Sequence, residues 1–145
     1  MYDLAILDGN VNVGDLSKSK ICNIGIKDSK ISYIGNEKIN ASKVINAVGY
    51  EVTPGFIDLH THSDLSFIVD PEADSKLVQG VTFELMGNCG MSFCSPLSKD
   101  NKYQLQERLN RYGIKKNMDW NNFDDWLNEI ENNIPSINVA AQIGH

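Results

Sequence analysis

Apolar residues in the first fifty positions recur in short alternating runs, which is the pattern typical of β-strands. The runs DLAILDGNVNV and ICNIGIKDSKISYIG contain polar turn sequences at residues 8–10 and 28–30, and a further run, KVINAVG, follows. Polar breaks with Asp and Gly between apolar runs indicate turns. We therefore expect the segment 1–52 to form a small antiparallel sheet with a hairpin at residues 28–30.

From residue 53 onward, compact apolar runs alternate with helical patterns. The runs PGFIDLH, VTFELMG and INVAAQIGH predict buried strands, whereas DPEADSKLVQG, KDNKYQLQERLNRYG and NNFDDWLNEIENN carry apolar residues at helical spacing. Asn122 is the expected N-cap of the last helix, which Pro135 ends. This order predicts parallel βαβ units. Because three such strands would leave a large apolar surface, we expect the chain to be the N-terminal part of a longer protein.

Composition excludes several classes of function. The 145 residues carry a net charge of −6 without a cluster of Lys and Arg, so we expect no nucleic-acid partner. No stretch approaches the roughly 18 apolar residues of a membrane helix, and the start does not have the pattern of a signal peptide. Three cysteines without an export signal indicate reduced thiols in the cytoplasm. Nothing in the pattern indicates an oligomeric state.

Two histidines, one residue apart, close the first strand of the second half in TPGFIDLHTHSD. Because side chains alternate along a strand, His60 and His62 are expected on the same side, about 7 Å apart. Imidazole nitrogen is a preferred zinc ligand, and barrel enzymes keep their chemistry at the carboxyl ends of their strands. The alternative is an ordinary pair of surface histidines, which is the commoner origin of an isolated His-X-His.

A cysteine closes the next apolar run, in GNCGMSFCSP. If the two strands are parallel neighbours, Cys89 lies at the same end of the sheet as the histidines, and its thiolate can bind zinc there. The alternative is that Cys89 is a small buried residue in a glycine-rich turn.

These stretches resemble a known family. TPGFIDLHTHSD is similar to the first barrel strand of the amidohydrolase superfamily. GVTFELMGNCGMSFCSP resembles the N-acyl-D-amino-acid deacylases (D-aminoacylases), in which a Gly-Asn-Cys-Gly turn supplies a cysteine zinc ligand. The resemblance implies an α/β fold, with an N-terminal β-sandwich segment at residues 1–52. The first strands and helices of a metal-dependent (β/α)8 TIM barrel follow at residues 53–145, and this barrel is expected to be truncated.

The same resemblance implies roles for individual residues. The resemblance implies that His60 and His62 form one part of the metal site and that Cys89 is a zinc ligand, either shared with or belonging to the tighter zinc position. It leaves open whether one or two metals bind. Further histidines and a catalytic aspartate are expected beyond residue 145. Asn88 and His145 are candidates either for supporting the zinc ligands from behind or for lining the pocket, and Asp64 either orients a histidine or is solvated at the mouth of the pocket. Cys94 is interpreted as a packing residue.

The implied reaction is zinc-dependent hydrolysis of the amide bond of N-acyl-D-amino acids, with a small-molecule N-acyl amino acid as the partner. The products are a carboxylate and a D-amino acid. One alternative is a cyclic amidase of the dihydroorotase or hydantoinase type, against which the Asn-Cys-Gly turn argues. Another is a catalytically inactive fragment. We expect the 145-residue chain alone to be inactive, because a whole barrel takes about 250 residues.

Overall fold

The computed structural model describes residues 1–93, 97–111 and 113–143. It contains two compact units, of which the first is Met1–Pro54 and the second begins at Gly55. The first unit is a five-stranded sheet. Its strands are β1 (Tyr2–Val11), β2 (Lys20–Lys27), β3 (Lys30–Gly35), β4 (Ala41–Asn46) and β5 (Glu51–Val52).

This sheet is mixed, so the prediction of a purely antiparallel sheet is wrong. The strand order is β3-β2-β1-β4, and β5 also pairs with β1. Both pairs among β1, β2 and β3 are antiparallel, whereas β4 and β5 run parallel to β1. Residues 36–40 carry the chain from the β3 edge to the opposite edge, so β4 enters in the same direction as β1, as parallel pairing requires.

The polar break predicted at residues 8–10 is a β-bulge and does not end the strand. The pairing of β1 with β2 shifts register between Ile6 and Gly9. Asp8 has a φ of 58°, and its N–H donates to Asn23 Oδ1 at 2.9 Å. Aspartate tolerates this left-handed backbone, so the strand bends and continues. The predicted hairpin is confirmed, with the two residues between β2 and β3 at φ values of 50° and 59°, as a type I′ turn requires.

The second unit is a parallel sheet with helices packed on it. Its elements are β6 (Phe56–Asp58), α1 (Ser66–Val69), α2 (Asp74–Leu77), β7 (Val81–Met86), a 3₁₀ turn (Asn88–Gly90), α3 (Lys99–Arg111), α4 (Phe123–Asn133) and β8 (Asn138–Ala141). The strand order is β6-β7-β8, and both pairs are parallel. The predicted βαβ units are therefore confirmed. None of the helices in the described ranges has the length and apolarity needed to cross a bilayer.

Two elements of this unit are shorter than predicted. β6 ends at Asp58, so the His-X-His pair lies in the loop after the strand. The helix predicted across DPEADSKLVQG is the single turn α2, and two of its apolar residues, Leu77 and Val78, are exposed. Ala73 before the turn and Gly80 after it have φ values of 52° and 79°, which confine the helix to one turn.

The core of the second unit lies between the sheet and its helices. Met86 of β7 shares one buried cluster with Leu105 of α3 and with Trp126 and Ile130 of α4. These α4 residues are four apart, so they lie on one face of the helix.

The predicted ends of α4 agree with the structure. Asn122 Oδ1 accepts the N–H of Asp125 at 2.8 Å, which confirms the N-cap. The helix ends at Asn133, two residues before Pro135. A proline disfavours helical backbone at the residue before it, which is consistent with this end point.

An ion pair on α4 gives a prediction for the pH dependence of stability. Lys116 pairs with Glu129 and also donates to Asn133 Oδ1 at 3.2 Å. The Lys116 hydrogen bond, with help from Asn133, holds the pKa of Glu129 below its ordinary value of 4.5. The pair therefore stabilises the fold above that value, and its contribution is lost as the pH falls through the folded-state pKa.

We expect Glu129→Gln to lower the free energy of unfolding at neutral pH by about 0.5–1 kcal/mol, because the pair is partly exposed. The difference from the parent chain should vanish in acid below the folded-state pKa. Urea unfolding over this pH range measures it. Glu131→Gln on the same helix is the control, because the exposed Glu131 forms no ion pair among the described residues. An equal loss in both variants at neutral pH would contradict the assignment.

Candidate metal centre

Three side chains converge at the carboxyl-terminal edge of the parallel sheet. They are His60, His62 and Cys89. One potential ligand atom from each lies within 4.8 Å of the other two. His60 Nε2 is 3.1 Å from Cys89 Sγ, and the two imidazole centroids are 5.6 Å apart. All three residues are exposed, so an ion can reach them, and the alternative of a buried packing cysteine is wrong.

The convergence of the histidines is set by the loop after β6 and by the residue between them. Thr61 is buried, and both its N–H and its Oγ1 donate to the carbonyl oxygen of Leu85 at 3.2 Å. This anchor at the end of β7 holds Thr61 inside the protein. The imidazoles of His60 and His62, on either side of Thr61, are thereby left at the surface. They lie closer together than the spacing of about 7 Å predicted for alternate residues of a strand.

The cysteine is presented by a turn with unusual backbone angles. Gly87, Cys89 and Gly90 have φ values of 79°, 58° and 70°. A Cβ at Gly87 would collide with the carbonyl oxygen of Gln142, so glycine is required there. A left-handed conformation costs a cysteine about 1 kcal/mol. The Cys89 backbone is therefore strained at the point where its sulfur approaches His60.

Asn88 connects the two loops beneath the converging side chains. It is 8% exposed, and its Nδ2 donates to the carbonyl oxygens of Leu85 at 2.9 Å and Thr61 at 3.2 Å. The Asn88 side chain thus contacts the backbone of Thr61, which lies between the two histidines, and Asn88 itself directly precedes Cys89 in the chain. The structure places this pocket candidate under the site rather than at its surface.

Asp64 is completely buried, at 0% exposure, so the interpretation of a solvated carboxylate is wrong. Burial raises the pKa of this carboxyl, while the N–H groups of Gly87 and Phe93 and the nearby His62 lower it. The geometry of these N–H groups falls short of full hydrogen bonds. Asp64 therefore lies in the protein interior between the histidine loop and the residues that follow β7.

An ion pair behind the site, in which a partly exposed lysine meets a buried glutamate, was missed from the sequence. Lys76 Nζ of α2 lies 2.5 Å from Glu84 Oε1 and 3.5 Å from Asp58 Oδ2. Glu84 is 0% exposed, and it is the register neighbour of Asp58 in the sheet. Asp58 Oδ1 accepts the N–H of His60 at 3.2 Å, so the ion pair reaches the histidine loop. The signal was the lone acid in the apolar run VTFELM, because a buried carboxylate needs a partner.

We expect Lys76→Met to destabilise the fold by about 2–3 kcal/mol, because it leaves Glu84 charged and unpaired. The Lys76 side chain is 29% exposed, which keeps the loss below that of a fully buried pair. The double variant Lys76→Met/Glu84→Met should regain most of the stability, since apolar residues of similar size replace both charges. Urea unfolding of the parent and the variants measures this. A double variant that is less stable than Lys76→Met would contradict the account.

A cleft of about 380 Å³ lies beside the converging side chains. Its lining residues are His62, Leu65, Ser66, Met91, Phe93, Leu105, Arg108 and Leu109. The cleft is largely apolar, and His62 joins it to the candidate metal centre. Two residues considered in the sequence analysis, Cys94 and His145, lie outside the described residues.

Comparison with known proteins places the chain in a family. The sequence model of the amidohydrolase family matches residues 43–145. The chain therefore belongs to the amidohydrolase family. Within it, the chain is similar to D-aminoacylase of Alcaligenes xylosoxydans xylosoxydans, with 29% identity over 99% of this chain and 29% of that protein. It is also 33% identical to N-acyl-D-glutamate deacylase of the same organism, over 99% of this chain and 28% of the relative.

A solved structure agrees with this assignment. The crystal structure of N-acyl-D-glutamate deacylase from Bordetella bronchiseptica, in complex with zinc and a phosphonate inhibitor, matches with a TM-score of 0.81. The identity is 30%, and the match covers 99% of this chain and 30% of that one. The expected fold class, α/β with an N-terminal β-sandwich segment followed by the first strands and helices of an amidohydrolase TIM barrel, is confirmed. The chain spans less than a third of the length of these relatives.

Proposed function

We propose that His60, His62 and Cys89 bind a zinc ion. The observation that supports this proposal is the convergence of the three side chains, with one potential ligand atom from each within 4.8 Å of the others. Two imidazoles and a thiolate are a donor set that zinc prefers. Tetrahedral zinc separates a nitrogen from a sulfur ligand by about 3.5 Å at ordinary bond lengths. The distance of 3.1 Å from His60 Nε2 to Cys89 Sγ is close to that separation.

The proposed reaction is hydrolysis of the amide bond of an N-acyl-D-amino acid to a carboxylate and a D-amino acid. When bound, zinc supplies a Lewis acid that polarises an amide carbonyl and makes water more acidic. His60, His62 and Cys89 would hold the metal, and the apolar cleft beside His62 offers room for an acyl or side-chain group. The proton transfer is assigned to an aspartate on a later barrel strand, by resemblance to the family.

The sequence context of Cys89 favours a deacylase over a cyclic amidase. Cyclic amidases of the superfamily share the His-X-His but use a carbamylated lysine between two metals. Here a cysteine on a glycine-flanked turn approaches His60. The similarity of nearly the whole chain to D-aminoacylase and N-acyl-D-glutamate deacylase supports the same choice.

Removing a proposed ligand should weaken zinc binding. We expect His60→Ala, His62→Ala and Cys89→Ala each to raise the zinc dissociation constant more than about 100-fold, because loss of an outer partner alone costs 10–100-fold. Competition with a chromophoric chelator measures the constant. Cys22→Ala is the matched control, since it removes a free thiol on β2. If zinc binding is unaltered in all three ligand variants, the proposed metal centre is wrong.

Substrate choice tests the proposed reaction. With zinc present, the complete gene product should hydrolyse N-acetyl-D-amino acids faster than the L-enantiomers and should leave hydantoins closed. Chiral chromatography of the released amino acids measures both rates. Ring opening of hydantoins without hydrolysis of N-acetyl-D-amino acids would favour the cyclic amidase. No turnover of either substrate would favour a catalytically inactive protein.

A further inference from the structure

We propose that Asn88 is a positioning residue that sets the distance between the Cys89 sulfur and the two imidazoles. The inference rests on the proposed zinc site and adds a residue that touches neither metal nor substrate. Its basis is that one side-chain amide connects the backbones that carry all three proposed ligands.

The connection runs through the Asn88 amide nitrogen. Nδ2 donates to the carbonyl oxygen of Thr61, which lies between the two histidines, at 3.2 Å. It also donates to the carbonyl oxygen of Leu85 at 2.9 Å. Leu85 in turn accepts the N–H and Oγ1 of Thr61. The histidine loop therefore has a fixed position relative to the residue that immediately precedes Cys89.

The turn that carries Cys89 has a strained backbone, which the Asn88 side chain stabilises. Cys89 has φ 58° and ψ 22°, a left-handed conformation that a cysteine keeps only where its surroundings enforce it. The Asn88 carbonyl accepts the N–H of Met91 at 3.0 Å, which closes the turn but does not connect it to the histidine loop. The Asn88 side chain makes that connection. Without it, the turn can relax, and the sulfur can move away from His60.

An amide meets the chemical demands of this position. Its nitrogen has two N–H donors for the two carbonyl oxygens, and it carries no charge into a buried environment. An aspartate of the same shape would place a carboxylate oxygen against the same two carbonyls. Asn88→Asp therefore replaces two attractions by two repulsions with almost no change in volume, and Asn88→Ala removes the contacts without adding charge.

The test uses cobalt(II) as the probe ion, bound to the full chain. A thiolate-to-cobalt charge-transfer band in the near ultraviolet reports a bond from the cysteine sulfur, and cobalt titration gives the dissociation constant. We expect Asn88→Asp and Asn88→Ala to lose most of this band and to bind cobalt about 10–100-fold more weakly. Cys89→Ala supplies the blank for the other thiols. Circular dichroism establishes which variants are folded, and Asn88→Ala decides the test if Asn88→Asp is unfolded.

Asn138→Asp is the control for the change of amide to carboxylate, because the exposed Asn138 also donates its Nδ2 to a β7 carbonyl oxygen, that of Thr82, at 3.1 Å. This contact lies at the opposite end of β7, and the control should keep the parental band. A parent chain without the band would refute the zinc site itself. A parent chain with the band, together with folded Asn88 variants of parental band and affinity, would overturn the role of Asn88 alone.

Discussion

The carbonyl oxygen of Leu85 is the acceptor on which the geometry of the site depends. It lies near the end of β7 and receives the N–H and the hydroxyl of Thr61 and the amide of Asn88. Because β6 and β7 are parallel neighbours, the loops that follow them leave the same edge of the sheet. This one acceptor then fixes the two loops relative to each other. The exposed imidazoles and thiol owe their proximity to buried backbone contacts beneath them.

Two carboxylates are buried behind the site, and their burial lowers the stability of the fold. Glu84 and Asp64 are both fully buried, which is rare for carboxylates. Glu84 is balanced by Lys76, and the same lysine reaches Asp58, which holds the His60 N–H. Nearby N–H groups and His62 favour the charged form of Asp64. The left-handed backbone of Cys89 lowers the stability further. Such features concentrate at functional sites, where the surrounding structure compensates them.

Sequence patterns predicted the parallel strands, α3, α4 and the N-cap at Asn122, because these depend on local periodicity and capping. They also placed His60, His62 and Cys89 at one edge of the sheet. They missed the parallel pairing of β4 and β5 with β1, which depends on a crossover rather than on the strands themselves. The bulge at Asp8 was interpreted as a turn, because the same residue types suit both. The lone acid of VTFELM indicates that Glu84 needs a partner, but it does not identify Lys76, because that pairing depends on where the α2 turn lies against β6 and β7.

We propose that one cysteine and two histidines from adjacent loops hold the same zinc ion. X-ray absorption at the zinc edge, on the chain loaded with one equivalent of zinc, tests this most directly. We expect a single sulfur neighbour at about 2.3 Å together with nitrogen or oxygen neighbours at about 2.0–2.1 Å, with multiple scattering from imidazole. A shell of nitrogen and oxygen alone would show that Cys89 does not bind the zinc ion.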